Sequence, residues 1–253
     1  MQPFRIVLIL GFLCFAMSCS ESHKTKVIGH RGARGHIAEN TLPSIEKALS
    51  LGADGIEVDV FVCASGELVV FHDQTLDRLT NASGRIESLS LDSIQKIDVL
   101  NGFTIPTLNE VMDLIGGKAF LNIELKGTQT ALPTHRLLEE YFKGEEWSTE
   151  KIVISSFNWE ELEIFRNLNA TVPIAILTED DPLDALPIAM RIKAEAINPY
   201  YKALNVSNVK KIKEAGFELY PWTVNSPEDI AAMLSLKVDG IITDFPERIP
   251  NIH

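Results

Sequence analysis

From residue 26 onward, short apolar runs alternate with amphipathic stretches of helical period, and this alternation constrains the fold more than any other feature. Strands are predicted near 26–30, 55–61, 119–126, 151–155, 172–177, 195–198, 217–223 and 239–243. Helices are predicted over 41–51, 107–116, 132–143, 158–168, 182–192, 205–215 and 227–236. Strand–helix alternation is the signature of a parallel α/β protein, and eight strands predict a barrel. Local chemistry agrees at several junctions. Asn40 or Thr41 can cap the first helix, with Pro43 in its first turn, and Gly52 and Gly216 stand where helices end.

One apolar run breaks the pattern. Leu68-Val69-Val70-Phe71 follows the second strand after only Cys63-Ala64-Ser65-Gly66-Glu67, too short a link for a parallel crossover. Residues 62–72 are therefore predicted to return antiparallel as a hairpin ending at His72-Asp73. Residues 74–104 follow as a long polar excursion, predicted to be irregular and to cap the active site.

Charged residues interrupt two of the apolar strands. Glu57 and Asp59 lie in Gly-Ile-Glu-Val-Asp-Val-Phe-Val, and Glu124 and Lys126 lie in Phe-Leu-Asn-Ile-Glu-Leu-Lys. Residues i and i+2 of a strand share a face, so each pair sits side by side. A solvated strand edge would also give alternating polarity, but Ile56, Val58 and Val60 require a covering of helices on the opposite face. The carboxylates then point into the barrel. Buried charges need a partner, and a divalent cation among Glu57, Asp59 and Glu124 is the simplest one. With no cysteine and no His-x-x-x-His spacing, the donor set favours Mg2+ or Ca2+ over zinc. For Glu124 and Lys126 a same-face salt bridge is an alternative, compatible with a further role for Lys126 toward a phosphate oxygen.

Active groups of such barrels collect at the C-terminal ends of the strands. His30-Arg31 ends the first strand, and the hairpin returns His72 to the same mouth. Paired imidazoles beside a metal site suit general acid and base work. Arg31 offers a forked donor suited to phosphate. Asp73 is either an orienting partner of His72 or a helix cap. His23, His36, His135 and His253 read as structural or exposed.

The net charge of −12 argues against non-specific nucleic-acid binding and leaves a phosphate substrate open. Residues 1–18 have signal-peptide proportions: Arg5, an apolar stretch from Ile6 to Met17, then Ser18-Cys19. Cys19 is expected to be lipidated in the manner of bacterial lipoproteins, with a plain secretory cleavage as the alternative. Cys14 would leave with the signal and Cys63 would remain a lone thiol, so no intramolecular disulfide is expected. The expectation is an exported protein, periplasmic or outer-membrane-anchored, with its catalytic domain over 24–253. No sequence feature specifies an oligomeric state.

His30-Arg31-Gly32, Glu39-Asn40-Thr41, Glu57-Val58-Asp59 and Val69-Val70-Phe71-His72-Asp73 together resemble the glycerophosphodiester phosphodiesterase family. Asn122-Ile123-Glu124-Leu125-Lys126, Ser155-Ser156-Phe157, Trp222-Thr223-Val224-Asn225 and Asp239-Gly240-Ile241-Ile242-Thr243-Asp244-Phe245-Pro246 extend the resemblance in order. It implies a TIM (β/α)8 barrel, one divalent cation, and hydrolysis of glycerophosphodiesters to glycerol 3-phosphate and an alcohol. It implies metal ligands at Glu57, Asp59 and Glu124, and acid–base histidines at His30 and His72. Phosphate-binding cations fall on Arg31 and Lys126, and a pocket-lining tryptophan on Trp222. Two departures touch a loop and a turn: Ala38 stands where the family usually has proline, and Cys63-Ala64-Ser65-Gly66 replaces its usual hairpin turn. Competing expectations are a cyclising, lyase-like cleavage on the same barrel, a phosphodiester-binding lipoprotein without catalysis, and a purely structural barrel.

Overall fold

The computed structural model describes residues 24–250; the signal segment, Cys19, His23 and His253 lie outside them. Strands β1 (Lys26–His30), β2 (Gly55–Val62), β4 (Phe120–Leu125), β5 (Ile152–Ser156), β6 (Ile174–Thr178), β7 (Ala196–Pro199), β8 (Glu218–Leu219) and β9 (Gly240–Thr243) pair in parallel, in the order β8-β7-β6-β5-β4-β2-β1-β9. The short β3 (Leu68–Val70) returns antiparallel on β2, as its link length requires. The circuit closes through backbone bonds from Asp239 N to Leu219 O and from Ile242 N to Pro221 O, each 3.0 Å. The result is a TIM barrel.

Helices α1 (Leu42–Ser50), α2 (Leu91–Ile94), α3 (Leu108–Ile115), α4 (Ala131–Tyr141), α5 (Trp159–Leu168), α6 (Leu186–Ile192), α7 (Val206–Glu214) and α8 (Pro227–Ser235) connect the strands. Thr41 caps α1 by accepting from Ser44 N, with Pro43 in the first turn. The outward residues Ile56, Val58 and Val60 are fully buried in one core cluster with Ile45, Ala48, Val111 and Met112 of the helices. Burying that face leaves the alternate residues of β2, Glu57 and Asp59, no direction but inward.

Three segments differ from the sequence reading. The helix predicted over 182–192 is two pieces, a 3₁₀ turn at Pro182–Ala185 and then α6, because Pro182 and Pro187 each start a new helical segment. The strand predicted over 217–223 is regular only at Glu218–Leu219, since Pro221 has no N–H to donate and serves only as an acceptor. The 74–104 excursion has its own apolar cluster, in which Leu76, Leu79, Ile86, Ile94, Ile97 and Val99 pack on Phe61, Val69 and Phe71. Its first turns are thereby fixed against the β2–β3 hairpin.

Candidate active site

The chain leaves β1 through a tight turn at the barrel mouth. Arg31 and Gly32 both have positive φ, at 52° and 84°. A Cβ on Gly32 would lie 2.5 Å from the Ser44 carbonyl carbon, so only glycine fits there. Arg31 tolerates its strained backbone because the turn is held on both sides. Its N–H donates to Glu57 Oε2 at 2.9 Å, and its C=O accepts from Asn40 N and Ser44 Oγ, each at 3.0 Å.

Glu57, Asp59 and Glu124 bring one carboxylate oxygen each to within 4.8 Å of one another, and all three are buried. The barrel register explains this: Asp59 stands directly opposite Glu124 on the neighbouring parallel strand. Burial and the neighbouring carboxylates push Glu57 well above the ordinary range. Burial and then Asp59 push Glu124 up to about 7. For Asp59 burial acts in the same direction, but Arg31, His72 and Lys126 and the bond from Asn40 outweigh it and leave the group below the usual value. Its Oδ2 accepts from Asn40 Nδ2 at 2.8 Å and faces Arg31 Nε at 3.2 Å, while Oδ1 is buried without a hydrogen bond, 3.8 Å from Lys126 Nζ. A hydrogen-bond-free carboxylate oxygen amid two carboxyls held proton-hungry by burial is a donor set that fits a hard divalent cation.

His30, Arg31, Glu57, His72, Glu124, Lys126 and Trp222 line one cleft above this cluster, so the structure brings together every residue singled out from the sequence. Each histidine is fixed through Nδ1. His30 meets Asp244 Oδ1 at 2.7 Å, and Asp244 Oδ2 accepts from Asn225 Nδ2 at 2.8 Å. His72 meets Asp73 Oδ1 at 2.6 Å, which makes Asp73 an orienting partner rather than a helix cap. Lys126 Nζ lies 3.2 Å from His72 Nε2. An ammonium can only donate, so Nε2 is the acceptor and the His72 proton sits on Nδ1. Burial holds both imidazoles below their ordinary pKa; for His30 it outweighs Asp244, and for His72 it is reinforced by Arg31 and Lys126. Lys126 also pairs with Glu124 Oε1 at 3.0 Å, so the same-face salt bridge exists within the cleft.

Arg31 does more than offer a fork toward the cleft. Its Nη1 donates to the buried Glu39 at 2.6 Å, and its Nε faces Asp59. Trp222 is held by a bond from Nε1 to Asn198 O at 2.9 Å and meets Phe157 edge-on with ring centroids 5.4 Å apart. The sequence reading assigned no role to Glu39, Asp244, Asn225 or Arg78. Asp244 follows Thr243 at the end of β9, so the strand-end rule that found His30 also points to it. Of the other histidines, His36 reaches Glu247 at 3.0 Å and His135 packs edge-on against Phe165.

The barrel is shared with solved phosphodiesterases. A phosphodiesterase from Oleispira antarctica, determined in complex with the product sn-glycerol-3-phosphate, superposes with a TM-score of 0.82 at 27% identity, covering 89% of this chain and 95% of that one. A putative glycerophosphodiester phosphodiesterase from Galdieria sulphuraria gives 0.81 at 29% identity, covering 91% and 98%. The protein is thus an enzyme of the phosphodiesterase class. The profile of the glycerophosphoryl diester phosphodiesterase family matches residues 30–248, and the chain belongs to that family. A glycerophosphodiester phosphodiesterase of Caldanaerobacter subterraneus is 38% identical over 239 residues, 90% of this chain and 98% of its own. One from Bacillus subtilis is 32% identical, covering 95% and 94%.

Proposed function

We propose that the protein hydrolyses glycerophosphodiesters to sn-glycerol 3-phosphate and an alcohol, with His30 and His72 as the general acid and base. The observation that carries this reading is the pair of Nδ1-anchored imidazoles facing one cleft over the buried Glu57–Asp59–Glu124 cluster. Glu57, Asp59 and Glu124 would hold a divalent cation, Mg2+ or Ca2+, which when bound would offset negative charge developing on the phosphoryl group. Arg31 and Lys126 add fixed positive charge at the same wall of the cleft, and Trp222 bounds the substrate.

With Nδ1–H given to an aspartate, each imidazole keeps Nε2 for proton transfer. One histidine takes the proton of the glycerol 2-hydroxyl as that oxygen attacks phosphorus. The other protonates the departing alkoxide, which leaves as the free alcohol. Water then opens the cyclic phosphate with the two histidines in exchanged roles, giving glycerol 3-phosphate. Lys126 keeps His72 neutral by donating to Nε2, which readies it to accept a proton once substrate displaces the ammonium.

Steady-state hydrolysis of glycerophosphocholine and glycerophosphoethanolamine by His30→Ala and His72→Ala tests the assignment. Each variant is expected to lose about 10²–10⁴-fold in kcat, and near-normal turnover in both would refute it. Accumulation of cyclic phosphate in place of glycerol 3-phosphate would instead favour the lyase reading. Saturable binding without turnover would favour a binding protein. We further propose that the enzyme is exported and tethered through lipidated Cys19. Radiolabelled palmitate should enter the wild-type chain and not Cys19→Ser.

A further inference from the structure

The 74–104 excursion sends one charged side chain back to the catalytic elements. Arg78 lies in the turn enclosed by the bridge between Thr75 and Arg85, and the buried Leu76 and Leu79 on either side pin that turn to the hairpin. Its guanidinium spans two carboxylates. Nε donates to Asp73 Oδ2 at 2.5 Å and Nη2 to Asp73 Oδ1 at 2.9 Å. On the other side Nη2 donates to Glu39 Oε1 at 2.7 Å and Nη1 to Glu39 Oε2 at 3.3 Å. Asp73 is the carboxylate that orients His72, and Glu39 is the one that holds Arg31 Nη1. Glu39 also receives Arg34 Nε at 2.8 Å. One planar cation therefore ties the carboxylate behind a histidine to the carboxylate behind an arginine.

We propose that Arg78 is a positioning residue, through which the excursion fixes the orientation of His72 and Arg31 together. Asp73 next to His72 has two oxygens and a freely turning side chain. Only with both oxygens engaged by a fixed fork is its Oδ1 held where the His72 Nδ1 proton points. A lysine keeps the charge but cannot hold four acceptor contacts in one plane, so charge and geometry can be separated by mutation. His30 provides an internal reference, because its anchor, Asp244, is bound by Asn225 at 2.8 Å and meets the Arg78 network only through Arg34, whose Nη1 lies 3.8 Å from Asp244 Oδ2.

The inference rests on the functional reading above, and two measurements keep their failures apart. In steady-state kinetics with glycerophosphocholine, Arg78→Met should lower kcat by about 10–100-fold, the usual effect of removing a group that orients a ligating or catalytic side chain. KM should change by less than about threefold, because the lost contact is not to substrate. Arg78→Lys should fall between, and guanidinium ion should partly restore Arg78→Met. Long-range 1H–15N spectra of the imidazoles supply the second readout, which needs no turnover. The His72 Nδ1–H signal should broaden or exchange faster in Arg78→Met while that of His30 stays unchanged. A folded Arg78→Met with wild-type kcat and an unchanged His72 signal would overturn the proposal. So would a raised KM at constant kcat, or equal changes in both histidines. A wild-type enzyme that cleaves no glycerophosphodiester yet shows the selective His72 change would sink the functional reading and leave the positioning role standing.

Discussion

Asp244 shows how one side chain can set the protonation of a catalytic group. Its Oδ1 accepts from His30 Nδ1 and its Oδ2 from Asn225 Nδ2, so both oxygens must act as acceptors. An asparagine in this place has one acceptor and one NH2 group. It must turn that NH2 either toward Asn225 Nδ2, setting donor against donor, or toward His30, forcing the proton onto Nε2. Asp244→Asn is therefore expected to reduce kcat by about 10²-fold or more, within the range for a lost acid or base, without matching loss of stability. Paired measurements of kcat and thermal midpoint check this. Unchanged turnover would show that the His30 tautomer is set elsewhere. The two histidines differ in how they are held: His30 is anchored from the end of the adjacent strand β9, His72 by its own neighbour in sequence.

Helix α4 begins without a cap of its own, since Thr130 makes no side-chain cap bond and has helical dihedrals. The missing acceptor comes from the next helix. Glu161, buried in the first turn of α5, accepts from Gln129 N at 2.5 Å and Ala131 N at 2.9 Å. Glu161→Ala would leave these donors in a dry site and remove the tie between adjacent helices. It should cost about 3 kcal/mol, measured as a lower midpoint at unchanged slope in urea unfolding; a loss well under 1 kcal/mol would contradict the capping role. This cap illustrates what could and could not be read from sequence. The Thr41 cap of α1 and the side-by-side pairs on β2 and β4 were legible because their causes lie within a few residues of chain. The antiparallel return of β3 was legible from link length alone. Glu161 acts across 30 to 32 residues, Arg78 and Glu39 meet each other across 39, and no local spacing encodes such contacts. The apolar cluster of the excursion was hidden for a related reason: its residues follow neither a period of two nor one of 3.6, so only the assembled fold brings them together.

In the whole barrel the electrostatic balance depends on pH in opposite directions at two places. Three arginines around Glu39 outweigh the effect of its burial and hold it at about 2, below its ordinary 4.5. A depressed carboxyl stabilises the fold above its unfolded pKa and loses that contribution as pH falls from about 4.5 toward 2. Glu124 behaves in reverse. Raised by burial and by Asp59 to about 7, it stabilises the metal-free fold below about 4.5 and loses that contribution as pH rises through 7. As pH rises through about 7, Glu124 adds its charge beside Asp59, where Arg31 and Lys126 are the neighbouring cations, and a divalent cation would offset the added charge. Cation binding must also displace the proton that Glu124 holds below about 7. The expected result is a rise in thermal midpoint on adding Mg2+ or Ca2+ to protein stripped with EDTA, larger at pH 8 than at pH 6. At a ligand concentration about 100 times Kd the stabilisation is about 2.7 kcal/mol. Glu124→Gln removes both the titrating group and a ligand, so it should reduce the metal-induced shift and flatten its dependence on pH. Stripped protein that melts identically with and without cation at both pH values, and retains full activity, would show that the three carboxylates hold their charge by some other means.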